Sequence, residues 1–93
     1  MTLNKAICHA IATVRIQRWG ARSYTVETYC PERHIWIMGP QMPFHAARES
    51  MTEQRHSIAL VSLGWAERDA FAAAYYCAGP LRDRVKASLG SAA

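Results

Sequence analysis

The chain has 93 residues, 51% of them apolar and 19% charged, with a formal net charge of +4. That length makes one domain, which buries roughly 60–65% of the surface its unfolded form exposes, enough for a core without metals or disulfides. The apolar fraction excludes intrinsic disorder, and no apolar run reaches the ~18–20 residues of a membrane span.

The opening stretch, with Lys5 ahead of mostly apolar positions, imitates a signal peptide. His9 interrupts it, no A-x-A site closes it, and Arg15 follows at once. Ile7 is too large to precede a lipidated cysteine at Cys8. Cys8, Cys30 and Cys77 are odd in number and widely spaced. They read as free thiols of a cytoplasmic protein, with a Cys8–Cys30 bridge as the alternative.

Residues 7–18 alternate, with Cys8, Ala10, Ala12, Val14 and Ile16 set against Thr13, Arg15 and Gln17. Period two predicts a first strand. Residues 23–30 alternate as well and predict a second, after a turn at 19–22 centred on Gly20. The inward residues of both strands are even-numbered, so opposed residues must both be even. A two-residue turn at Gly20-Ala21 would set Val14 against Glu27 and put a whole face in water. A three-residue or bulged loop is predicted instead; one such register sets Val14 on Val26, Ile16 on Tyr24 and Ala10 on Cys30.

Pro31-Glu32 forms the next turn, and 34–38 is a third strand whose lack of polar alternation implies cover on both faces. Pro43 opens a helix that runs to His56, with Phe44, Ala47, Met51 and Gln54/Arg55 at helical spacing. Its exposed side would carry Arg48, Glu49, Glu53 and Arg55. Residues 57–63 return to β character and Gly64 ends them. Residues 65–78 form an alanine-rich helix with Phe71, Ala74, Tyr75 and Ala78 along its stripe, stopped by Gly79-Pro80. A last short helix carries Leu81, Val85 and Leu89. The prediction is an α+β fold of order β-β-β-α-β-α-α: an antiparallel meander, a fourth strand after the first helix, and two or three helices on one face. Residues 1–90 make the domain and 91–93 a frayed tail.

Before Glu27 stand Lys5, Arg15, Arg18 and Arg22 with no acid, and residues 81–93 hold three cations and one acid. The excess positive charge therefore lies at the two ends. Nine of the eleven cations are arginine, which grips phosphate and carboxylate bidentately. Arg15 and Gln17 fall on the outer face of the first strand, and Arg18 and Arg22 flank Trp19 at the turn. A guanidinium cluster beside an indole suits a nucleic-acid backbone with a stacked base, or an acidic protein groove. Arg15, Arg18, Trp19 and Arg22, with Arg33 in support, are the candidate partner-binding residues. Sixteen alanines beside nine arginines equally fit genome base composition, with the patch serving solubility.

No catalytic, metal or nucleotide signature is present. His45 and Glu49 have metal-ligand spacing on a helix, but lack a second pair at a zinc interval. The reading is therefore no metal, no cofactor, no small-molecule substrate, no membrane and no enzyme. Tyr29, Glu32, Arg33 and His34 are the candidates should the chain be a small basic ribonuclease toxin. An order beginning with a strand differs from that of a double-stranded-RNA-binding domain, which begins with a helix, and the aromatic signature of an RRM is missing. In size, arginine and alanine bias, element order and lack of motifs, the whole chain resembles the small phage-encoded anti-CRISPR proteins. That resemblance implies a stoichiometric inhibitor of a Cascade-type (type I) CRISPR surveillance complex in the host cytosol. Such an inhibitor would contact guide RNA, the path of target DNA, or acidic protein. The expectation is a non-enzymatic binding protein docking on a larger nucleoprotein complex; the alternative is a stand-alone RNA- or DNA-binding module.

Overall fold

The computed structural model describes residues 1–75 together with Asp83, Ala87 and Leu89. In chain order the elements are α1 (Leu3–Thr13), β1 (Val14–Gly20), β2 (Ser23–Cys30), β3 (Ile35–Met38), α2 (Phe44–Ser62) and α3 (Glu67–Tyr75). The class is α+β, with a three-stranded antiparallel sheet in the order β1-β2-β3.

The chain opens on a helix, not a strand. Thr2 caps it, its Oγ1 accepting from the Lys5 N–H at 3.3 Å. Leu3, Ala6, Ile7, Ala10 and Ile11 recur at helical spacing and pack into one cluster with Ala59 and Leu89. Residues 8–13 satisfy both periods because alanine is small enough for either face; Cys8 and Ala12, the inward residues of a strand, are exposed. With α1 in front, the order no longer differs from a double-stranded-RNA-binding domain in its opening element. Order alone carries no function.

The meander is as predicted from β2 onward. Val14 faces Thr28, Ile16 faces Val26 and Arg18 faces Tyr24, so opposed residues are even with even. The register slips at Trp19, where Gly20 pairs with Ser23. The bulged loop is present; the pairing lies two residues from Val14-on-Val26. After β3, the Gly39 N–H donates to Val26 O, and Met42 pairs with Tyr24. β3 is an edge with Ile35, Ile37 and Met38 about half exposed, so it is not covered on both faces.

The fourth strand is absent: residues 57–62 continue α2. A short apolar run cannot be told from buried helix by periodicity, and here length and packing decide for helix. Ala47, Met51, Arg55, Ala59 and Leu60 share its buried side. Gly64, at φ +100°, ends the helix. Glu53 and Arg55 are buried and Phe44 is half exposed, the reverse of the expected faces. In α3 the buried residues are Ala70 and Ala74, while Phe71 stacks on Tyr75 at 4.4 Å. The predicted stretch 76–78, the Gly79-Pro80 stop, Cys77 and the 91–93 tail lie outside the described residues; of the last predicted helix, Asp83, Ala87 and Leu89 are helical. Cys8 and Cys30 are free thiols.

Arg55 ties the layers together. Its Nε and Nη2 donate to Val14 O at 2.9 and 2.7 Å, Nη1 to Leu89 O at 3.0 Å, and Nη2 to Ile11 O at 3.4 Å. The guanidinium therefore closes the carbonyl end of α1, where the helix dipole favours a cation. Burial lowers its pKa below the ordinary guanidinium value.

Candidate functional site

α2 covers one face of the sheet: Val14 and Val26 pack on Ala47 and Met51, flanked by Ile16 and Tyr24. Thr28 on the same face donates to Gln54 of α2 at 3.0 Å. Side chains alternate along strands, so Arg15, Gln17, Thr25, Glu27, Tyr29, Trp36 and Met38 stand on the other face. No described helix covers that face. Even so, Thr25 is 0% and Glu27 5% exposed. Their cover is the large side chains beside them.

Arg15 Nε donates to Glu27 Oε1 at 2.8 Å, and its guanidinium carbon lies 3.8 Å from the centroid of the Trp36 ring. The ion pair is asymmetric: 45% of the Arg15 side chain is exposed against 7% for Glu27. Trp36 meets Tyr29 edge-to-face at 5.3 Å. The bulge at Trp19 lays its indole on the same face, and Nε1 donates to the buried Thr25 Oγ1 at 2.7 Å. Trp19 as a residue stays 55% exposed. At the far end, the Tyr29 hydroxyl lies 3.3 Å from His34 Nδ1, and His34 holds a left-handed φ of 55° in the β2–β3 turn.

The five candidate residues are thus divided. Arg18, Trp19 and Arg22 gather at the β1–β2 turn. Arg18 Nε donates to Gly20 O at 3.1 Å, and both arginines are exposed. Arg15 sits mid-face, paired with Glu27 and not free. Arg33 is exposed in the β2–β3 turn, at the opposite end of β2 and about 25 Å away by strand rise. Trp36, Thr25 and Glu27 are site residues that periodicity assigned to the core or passed over. The legible signal was the odd-numbered series itself, in which Arg15 stands across from Glu27 and aromatic residues recur.

Two other features do not form a comparable site. A groove of about 580 Å³ between α1, α2 and α3 is lined by the apolar Ile58, Val61 and Phe71 and by His9, Glu67 and Arg68. His45 and Glu49 are both exposed, and among the described residues no three histidine, cysteine or acidic side chains converge. No described helix is long and apolar enough to cross a membrane. No family model, curated protein or solved structure matches the chain.

Proposed function

We propose that the chain is a non-enzymatic binding protein that docks, by the β1–β2 turn and the sheet face that no described helix covers, on a nucleic-acid-lined surface of a larger nucleoprotein complex. One observation carries the reading. The acid on that face, Glu27, is sealed beneath Arg15, while Arg18, Arg22 and an exposed Trp19 crowd the turn that borders it. Such a surface offers cations and ring faces and withholds its carboxylate. The resemblance to anti-CRISPR proteins names a guide-RNA-loaded type I surveillance complex as the assembly to try first.

The test is an association measurement across salt concentration with that loaded complex. Arg18→Glu with Arg22→Glu is expected to weaken association at least ~10-fold and to flatten the log–log salt slope by about 1.5, the loss of two phosphate contacts. An unchanged affinity and slope would remove the turn from the interface. Equal affinity for naked RNA would favour the stand-alone module. The ribonuclease reading has the Tyr29–His34 hydrogen bond in its favour. RNA recovered intact is the expected result; cleavage lost in His34→Ala would replace docking by catalysis.

A further inference from the structure

We infer that the sheet face left open by the described helices binds unpaired bases of a single-stranded nucleic acid, stacking them on Trp19 and on the Arg15–Trp36 pair, while arginines at its ends hold the backbone. This rests on the docking reading above and names its partner.

The argument starts from what each side chain has left to offer. The Trp19 N–H is already spent on Thr25, so the exposed indole presents a ring face and no unmet donor. Arg15 places one side of its guanidinium plane on Trp36 and bonds Glu27 through Nε, yet 45% of its side chain remains exposed. A guanidinium plane backed by an indole is a platform on which a base stacks. Tyr29 extends the aromatic surface and is oriented by Trp36 and His34.

Spacing and charge support the same occupant. Trp19 bonds in the row of Thr25, whereas Trp36 stands in the row of Tyr29, four residues along β2. That is about 13 Å at the rise of a strand. Platforms that far apart suit a flexible strand whose bases are splayed, not one flat ligand. Arg22 borders one end, with Arg18 beside it on the α2 side of β1, and Arg33 borders the other, with Glu32 the exposed acid beside Arg33. An acidic peptide would satisfy the arginines but leave the ring faces without a role. A duplex hides its bases and would use the cations alone.

The experiment titrates the full chain with four probes: short single-stranded oligouridylate, an abasic strand of equal length, a blunt RNA duplex and polyglutamate. Anisotropy and tryptophan fluorescence are the readouts. Oligouridylate is expected to quench the fluorescence and to bind about ten-fold more tightly than the abasic strand, the size of effect one or two stacked bases give. Trp19→Ala should erase most of that preference and Trp19→Phe should keep it. Glu27→Gln removes the counter-charge of Arg15 and should steepen the salt slope by up to about 0.7. The inference is overturned if the abasic strand, the duplex or polyglutamate binds as tightly as oligouridylate. If the base preference is absent while Arg18→Glu with Arg22→Glu still weakens association with the complex, stacking fails and docking stands. A base preference that persists when charge reversal changes nothing upholds stacking and overturns the backbone contact assigned to the arginines of the turn.

Discussion

The two faces of one sheet solve the same problem differently. On the α2 side, Val14 and Val26 are buried by Ala47 and Met51 of another element. On the other side, Thr25 and Glu27 are buried by Trp19, Arg15 and Trp36 of the sheet itself. Cover supplied by another element consists mainly of small and aliphatic groups, with polar ties between Gln54 and Thr28 and between Arg55 and Val14 O. Cover supplied by neighbouring strands uses long side chains: Trp19 is fixed by its bond to Thr25, Arg15 by its bond to Glu27, and Trp36 by ring contacts with Arg15 and Tyr29. The first arrangement leaves nothing for a partner. The second leaves the outer surfaces of the covering groups in water, and this is how a face can be closed to solvent and still be a binding surface.

The comparison is tested hardest on the covered side. Arg55→Ala orphans the carbonyls of Val14, Leu89 and Ile11, all bonded by one guanidinium, and leaves a cavity between α1 and α2. Unmade buried hydrogen bonds of this kind cost about 1–3 kcal/mol each, offset by relief of a buried charge. The expected loss is about 3 kcal/mol, a fall in Tm on the order of 15 °C. Arg55→Met fills much of the volume without donors. If that second variant keeps most of the stability, apolar packing and not the polar clamp joins the layers.

How much of this was legible follows from which residues are ambiguous. β2 is legible to its ends because Thr, Tyr and Val alternate over residues 23–30, and no helical spacing competes. The bulge at Trp19 is legible because only a slip keeps even residues opposite even ones. α1 passes for a strand because alanine at positions 10 and 12 fits either period; Thr2, the capping residue that would break the tie, lies outside the alternating window. The second half of α2 passes for a strand because Ile58, Leu60 and Val61 are apolar residues in a short run, held helical by tertiary burial of Ala59 and Leu60. The arginines at the turn are visible from charge. The Arg15–Trp36 contact is not, since it joins β1 to β3 across an intervening strand and no local pattern encodes that distance.

On the open side the expected effects are smaller. Trp19→Ala removes the lid of Thr25 and its hydrogen bond, but water reaches the freed hydroxyl, so the penalty for an unmet buried group is avoided. A loss of about 1 kcal/mol is expected in urea unfolding, with an unchanged m-value. A loss as large as that of Arg55→Ala would mean the open face is structural first, and would make the two faces energetically alike.

The smallest effect concerns pH and belongs to the covered side. Burial raises the Tyr75 pKa above 10.0, and the negative charge of Glu53 raises it further. The fold therefore prefers the neutral phenol. Stability from this preference is fully present below the unfolded value near pH 10 and is lost as pH rises through the higher folded value. Tyr75→Phe cannot ionise, so its urea midpoint should fall less than that of the wild-type chain between about pH 9 and pH 11. The other tyrosines titrate in both proteins, so the difference between the two curves isolates residue 75. Parallel curves would mean that α3 does not hold Tyr75 against α2 in solution, and that the covered side ends with α2.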